Sequence, residues 1–335
     1  MLRRFSAYTL ILVLALSQFS FLWRRGETKT PAEIPYRPAR DSSNMLCWNV
    51  IGLPNHKTRF NEDYIFDENL YDLRLDTLSQ VKFWRAVMNL QEDTFLVNVA
   101  STRQVIEKMQ CNIWNAKSDS LKSVYKDSVK SMLCLDTSQK ILFTSGKKFF
   151  YDFDRARMNF HRGINCFIDN GVDPWYAQAI LLIESPNKLQ KSNAGAYGPF
   201  QLMKDVARLY GLKVNRHVDE RADFDRSAFA ASSLIKKICI PNTRRMLDSL
   251  NIRNYNEQDL WFRLLVMHVY HAGSYNVQKA LFSCNPCSGN MDLIYTLWKT
   301  QTRRFKSASQ NYSQLIIAAM FEMNDRHQAL QLAKR

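Results

Sequence analysis

One carboxylate in this sequence sits where an acid is needed. Glu184 closes the apolar run Ile180-Leu181-Leu182-Ile183. A carboxyl held among apolar groups keeps its proton to higher pH, because burial penalises the charged form. Such a group can protonate a poor leaving group, which is what breaking a glycosidic bond near neutral pH requires. Shortly after it comes "GAYGPFQLM" at 195–203. Gly195 and Gly198 let backbone approach a ligand, and the amide of Gln201 both donates and accepts. Ordinary glycosidases also need a second carboxylate, as nucleophile or base. The nearest acids, Asp205, Asp219, Glu220, Asp223 and Asp225, fall in a polar loop or at helix starts, where capping is the expected work. Their spacing sets none of them opposite Glu184. One carboxylate alone suffices only if the substrate supplies the second group. By position, Glu184 also reads as a last-turn residue that merely solvates a helix end. Both readings stand at this point.

The element that must deliver Glu184 is a helix over 174–184. Asp173 is a good N-cap and Pro174 suits the first helical position. Trp175, Ile180, Leu181 and Ile183 predict burial of most of its circumference. Pro186 disfavours helical geometry at Ser185 and ends the run there. From Lys147 onward the pattern stays helical. "DFDRARMNFHRGINCFIDNG" is amphipathic and stops at Gly171, and "KDVARLYGL" ends at Gly211. Ser227 is expected to cap a helix through about Leu250. "NEQDLWFRLLVMHVYHAG" is strongly apolar, Ser274 caps "YNVQKALF", and "NYSQLIIAAMFEM" is the last clear helix. The C-terminal half therefore reads as all-α with short connections.

Residues 47–146 read as a small α or α+β region. "LSQVKFWRAVMNLQ" and "STRQVIEKMQCNIW" have helical spacing, whereas "TFLVNVA" and "KILFTS" look like short strands. No motif there carries chemistry, and its aromatic residues Phe83, Trp84 and Trp114 read as core. Residues 26–46 hold prolines and mixed charges without periodicity and read as a tether.

Composition limits the partners. The 46% apolar content is that of a globular chain, and the net charge of +15 implies attraction to something acidic. Zinc-finger spacing, an RNA-binding aromatic signature and a basic heptad helix are all missing, so nucleic acid ranks below anionic lipid and carboxylate-bearing cell-wall polymer. Arg3 and Arg4 precede an apolar run, residues 5–23, closed by Arg24 and Arg25. That length suits a membrane anchor or an export signal within residues 1–25. The run continues past the small-x-small pattern Ala15-Leu16-Ser17, which favours an uncleaved anchor over a cleaved signal. Seven cysteines are an odd number. Cys284 and Cys287, in "CNPC", are expected to close a small disulfide if the compartment is oxidising, with free thiols the next reading and metal or redox chemistry behind.

Four blocks, in order, carry a family resemblance. They are "IES" at 183–185, "GAYGPFQLM" at 195–203, "ARLYGLKVNRHVDERADFDRSAFAA" at 207–231 and "VYHAGSYNVQKAL" at 269–281. With the later "FKSASQNYSQLIIAA", they resemble the soluble-lytic-transglycosylase domain of glycoside hydrolase family 23 type, and within it the membrane-bound lytic transglycosylase D type. The resemblance covers 147–325 and leaves 326–335 as a C-terminal tail. It implies a mainly α fold with a lysozyme-like catalytic domain, and a peptidoglycan lyase at the periplasmic face of the cell envelope. Glu184 would protonate the oxygen between N-acetylmuramic acid and N-acetylglucosamine, then accept the proton of the muramoyl 6-hydroxyl as it attacks the anomeric carbon. No water, cofactor or metal enters this reaction. Ser185 would hold the leaving sugar or orient Glu184, and Gln201 would bind the acetamido or lactyl group. Tyr270 would donate to Glu184 or to the sugar, and Tyr197, Phe200 and Met203 would line the groove. His271 stands where the family has Asn, Pro186 directly follows Glu-Ser, and no wall-binding repeat is found. A lysozyme-type hydrolase and a peptidoglycan-binding scaffold remain the competing readings.

Overall fold

A computed structural model of the chain describes residues 58–61, 64–184 and 191–333. The expected anchor at 1–25, the tether at 26–46 and Ser185 lie outside the described residues. Within them the protein is mainly helical, with a small amount of sheet. No helix among the described residues is long and apolar enough to cross a membrane.

The chain enters through a hairpin, β1 (Thr58–Asn61) and β2 (Tyr64–Asp67), followed by the single turn α1 (Asn69–Asp72) and by α2 (Ser79–Asn89). A three-stranded antiparallel sheet comes next, from β3 (Thr94–Val99), β4 (Val105–Gln110) and β5 (Ile141–Ser145), with β3 in the centre. Between β4 and β5 lie α3 (Cys111–Asn115) and α4 (Asp119–Met132). The helical spacing of 101–114 holds only at its end, where 111–114 lie in α3, and is overridden in its middle, where 105–110 form strand β4. Its exposed Val105, Glu107 and Lys108 have little to bury as a helix, whereas pairing satisfies an open edge of β3 from Thr94↔Gln110 to Asn98↔Val105.

β3 separates two cores by its two-residue period. Leu96 belongs to the main core, while Val97 and Val99 join Val129 and Ile141 in a small one. The expected boundary near residue 147 is therefore no division of the main core. Ile65, Leu70, Leu75, Phe83 and Val87 share that core with Ile180, Phe262 and Phe321.

The helical part runs through α5 (Phe153–Arg157), α6 (Phe160–Asp169), α7 (Trp175–Ile183), α8 (Lys204–Leu209), α9 (Phe224–Leu234) and α10 (Ile240–Ser249). It closes with α11 (Leu260–Ala272), α12 (Ser274–Cys284), α13 (Met291–Lys299) and α14 (Ser307–Ala333). The last helix continues through the segment expected as a tail. Its Gln314 accepts from Trp84 Nε1 at 3.0 Å and its Glu322 accepts from Arg85 Nε at 2.6 Å, so α14 is bolted to α2. The cap of α9 is Asp223, not Ser227. Its side chain accepts from Arg226 N at 2.9 Å, and the helix starts one turn early. A π-helical segment at Ile235–Cys239 joins α9 to α10. Pro241 follows, lacking the N–H that a regular ladder needs, and Thr243 Oγ1 donates to Cys239 O at 2.9 Å. Cys284 and Cys287 are free thiols, which corrects the expected disulfide; Cys284 Sγ donates to Leu281 O instead. No cluster among the described residues is able to hold a metal ion.

α7 is the axis of this assembly, and every one of its nine residues is buried. Only neighbours on all sides make so uniformly apolar a helix stable in water. α6 approaches it at Gly163, where a Cβ would stand 2.8 Å from Leu181 Cδ1. The one amide side chain of the helix, Gln178, is matched at both of its polar atoms. Its Oε1 accepts from Ile65 N and its Nε2 donates to Ile65 O, both at 2.8 Å, so it pairs with β2 as a neighbouring strand would. Asp173 caps the start, accepting from Trp175 N at 2.9 Å.

Candidate active site

Glu184 is the residue after the last turn of α7, with its N–H still bonded to Ile180 O at 2.9 Å. Among the described residues its carboxyl accepts one hydrogen bond, from Tyr312 Oη at 2.7 Å. Burial pushes the carboxyl pKa up to about 7, against the opposing pull of that phenol, which favours the ionised form. Both protonation states are thus accessible near neutral pH, as an acid that must later act as a base requires. Tyr151, Tyr270 and Tyr312 surround the group and are themselves raised by burial and by the neighbouring carboxylate. They remain neutral donors.

Tyr312 reaches Glu184 from α14, and it is the residue that sequence reasoning passed over. Its ring is 4% exposed and stacks on His271 of α11 at 4.1 Å between centroids, with 21° between planes. The neighbouring Ser313 fixes the register of the two helices. It bonds His268 Nε2 at 2.9 Å and accepts from Trp298 Nε1 at 2.7 Å. Burial pushes His268 down to about 3, so that ring is a neutral internal brace. His271 keeps an exposed face, and desolvation of the part packed against Tyr312 pushes its pKa down as well. Tyr270 does not reach Glu184 by a hydrogen bond. Its hydroxyl donates to Phe200 O at 2.5 Å and so ties α11 to the glycine–glutamine loop.

That loop is a short hairpin closed by Tyr197 N to Leu202 O at 3.1 Å and Leu202 N to Tyr197 O at 3.0 Å. Gly198 has φ +88°, and a Cβ there would fall 1.8 Å from Arg221 O, so no larger residue fits. Arg221 is 2% exposed and clamps the loop, donating to Gly195 O at 2.8 Å and Leu202 O at 2.9 Å. Its other donors pair with both oxygens of Asp219 at 2.8 and 2.7 Å. Gln201 takes a left-handed φ of 45°, a conformation that non-glycine residues keep only where surroundings enforce it. Its Nε2 donates to Gly198 O at 3.1 Å.

The remaining residues sort by exposure. Tyr197 is half-buried beneath the Arg221 guanidinium, and Met203 is 45% exposed. Phe200, expected along a groove, is fully buried and stacks on Phe167. Its ring is core, and only its carbonyl serves the site. None of the five nearby acids bonds to Glu184. Asp219 and Asp223 cap, Asp225 pairs with Arg162, Glu220 pairs with Arg226, and Asp205 sits exposed in the first turn of α8. The arrangement gives one titratable acid with a phenol donor, beside a rigid backbone loop.

The phenol can be tested alone. Tyr312→Phe is expected to raise the Glu184 pKa by about one unit, because a hydrogen bond to a charged acceptor is worth about 1.5–3 kcal/mol and is only partly replaced by water. Carbon-detected titration of the Glu184 carboxyl reads the shift. An unchanged or lower value would contradict the geometry.

Comparison of the chain with protein-family models and with curated proteins returns no match.

Proposed function

We propose that this protein is a murein lytic transglycosylase with a lysozyme-like catalytic fold, held at the periplasmic face of the cell envelope by residues 5–23. The observation that carries the reading is a single carboxyl at the end of a buried helix, with its pKa raised to about 7 and a phenol as its hydrogen-bond partner. Its protonated form delivers the proton to the glycosidic oxygen as the bond from the muramoyl anomeric carbon to that oxygen breaks. The muramoyl C6 oxygen then bonds to the same carbon, and its proton returns to Glu184. The acid is regenerated, no water is consumed, and no second carboxylate is required. This agrees with the structural duties of Asp219, Asp223 and Asp225. Tyr312 keeps the ionised form available for the second half of the reaction. His271, at the position of the family's Asn, backs Tyr312 with its ring.

Release of soluble glycan from purified sacculi tests the reading. Wild type is expected to release product, and Glu184→Gln is expected to sediment with the sacculi and release none above background. Equal and negligible release by both proteins would favour a peptidoglycan-binding scaffold instead.

A further inference from the structure

A cavity far in sequence from Glu184 lies where α2, β4 and α14 meet. It measures about 370 Å³ and is walled by Lys82, Arg85, Asn89, Lys108 and Glu322. Its hydrogen bonds can be counted. Glu322 is the one acid in the wall, and both of its oxygens are already taken, Oε1 by Arg85 at 2.6 Å and Oε2 by Asn89 Nδ2 at 2.7 Å. The Asn89 carbonyl oxygen accepts from Arg326 at 3.2 Å. Arg85 is forked between Glu322 and Asp325, which holds its guanidinium rigidly in the wall. Lys82 and Lys108 are different. Both are exposed, and neither ammonium makes an ion pair among the described residues. The wall therefore presents surplus cationic donors and no free acceptor, held on three elements with a fixed floor.

We propose that this cavity is an anion-binding site that receives a free carboxylate of an acidic peptide. Ammonium groups from a helix and from a strand would close on the carboxylate oxygens, with Arg85 contributing the planar floor. The identity of the peptide as a peptidoglycan stem rests on the function proposed above; the preference for an anion does not. The segment before residue 147 thereby acquires a task, namely holding cross-linking peptides while the glycan lies against Glu184. Attraction of this kind weakens as salt screens it.

The test uses the full chain carrying Glu184→Gln, so that glycan is not consumed, and titrates it with a soluble acidic peptide bearing free carboxylates and, separately, with inorganic phosphate. The peptide is expected to bind in a salt-dependent manner. Lys82→Ala with Lys108→Ala is expected to weaken that binding by about tenfold or more. Both side chains are on the surface, so folding is preserved and can be verified by an unchanged thermal transition. Three results would each overturn the proposal: no peptide binding, equal binding by the lysine variant, or binding of phosphate without binding of peptide. The readout is independent of turnover. Failure of the wild type to cleave glycan, with peptide binding intact, would remove the enzymatic reading alone.

Discussion

Glu184→Gln is expected to make the protein more stable at pH 8 while removing its proposed turnover. The ordinary carboxyl pKa of 4.5 rises to about 7 in the folded protein. Between those values the folded state binds more protons than the unfolded chain, so stability falls as pH rises through this window. Below it both states are protonated and the carboxyl contributes no difference. Above it the folded state carries the full cost of a charged, desolvated group, at most about 3 kcal/mol from the size of the shift. Glutamine resembles the protonated acid and escapes that cost. Urea unfolding of the two proteins should therefore diverge from pH 4 to pH 8, with the variant up to about 3 kcal/mol more stable at the upper end. A variant equally stable or less stable at pH 8 would mean that the carboxylate is well solvated, and the candidate acid would lose its basis.

Arg263→Met should carry the largest stability loss away from the site. The Arg263 side chain is 3% exposed and lies between Asp173, at 2.7 Å, and Asp67, at 3.6 Å. Asp67 is fully enclosed, with burial holding its pKa above the usual carboxylate range, and it also accepts from Trp175 Nε1 at 3.0 Å. Removing the guanidinium leaves the buried Asp67 and the half-buried Asp173 without their cation at the start of α7. Breaking a buried pair in this way costs about 3–5 kcal/mol. Protonating the buried Asp67, whose pKa burial already raises, relieves it, so the loss should shrink as pH falls toward 4. Denaturant midpoints at pH 7 and pH 4 measure both effects. A loss below about 1 kcal/mol at pH 7 would show that these charges are compensated elsewhere.

What the sequence revealed, and what it hid, follows from the range of the interactions. Helix α7 was readable because its cap, its proline and its apolar content are local. The glycines at 195 and 198 marked a loop, but that it closes as a hairpin with Gly198 against Arg221 O is set by residues far along the chain. Tyr312 was hidden. It looks like one more aromatic residue on an amphipathic helix, and only the packing of α14 against α7 and α11 brings its hydroxyl to Glu184. An aromatic residue with a hydroxyl in "NYSQLIIAA" was the available signal, and it is a weak one. Phe200 misled for the opposite reason. An aromatic residue in a glycine loop suggests a ligand wall, but the hairpin turns this ring inward against Phe167. The core shared by β2, α2 and α14 draws on residues from both sides of position 147, a long-range pairing that local pattern does not record.

The central claim is that Glu184 works with the substrate's own hydroxyl and without water. Digestion of purified peptidoglycan in heavy-oxygen water, followed by mass spectrometry of the released muropeptides, tests it most directly. The expected products carry 1,6-anhydro ends, each lighter by one water than a reducing end and free of the heavy isotope. Reducing ends carrying the isotope would contradict the claim and identify a hydrolase.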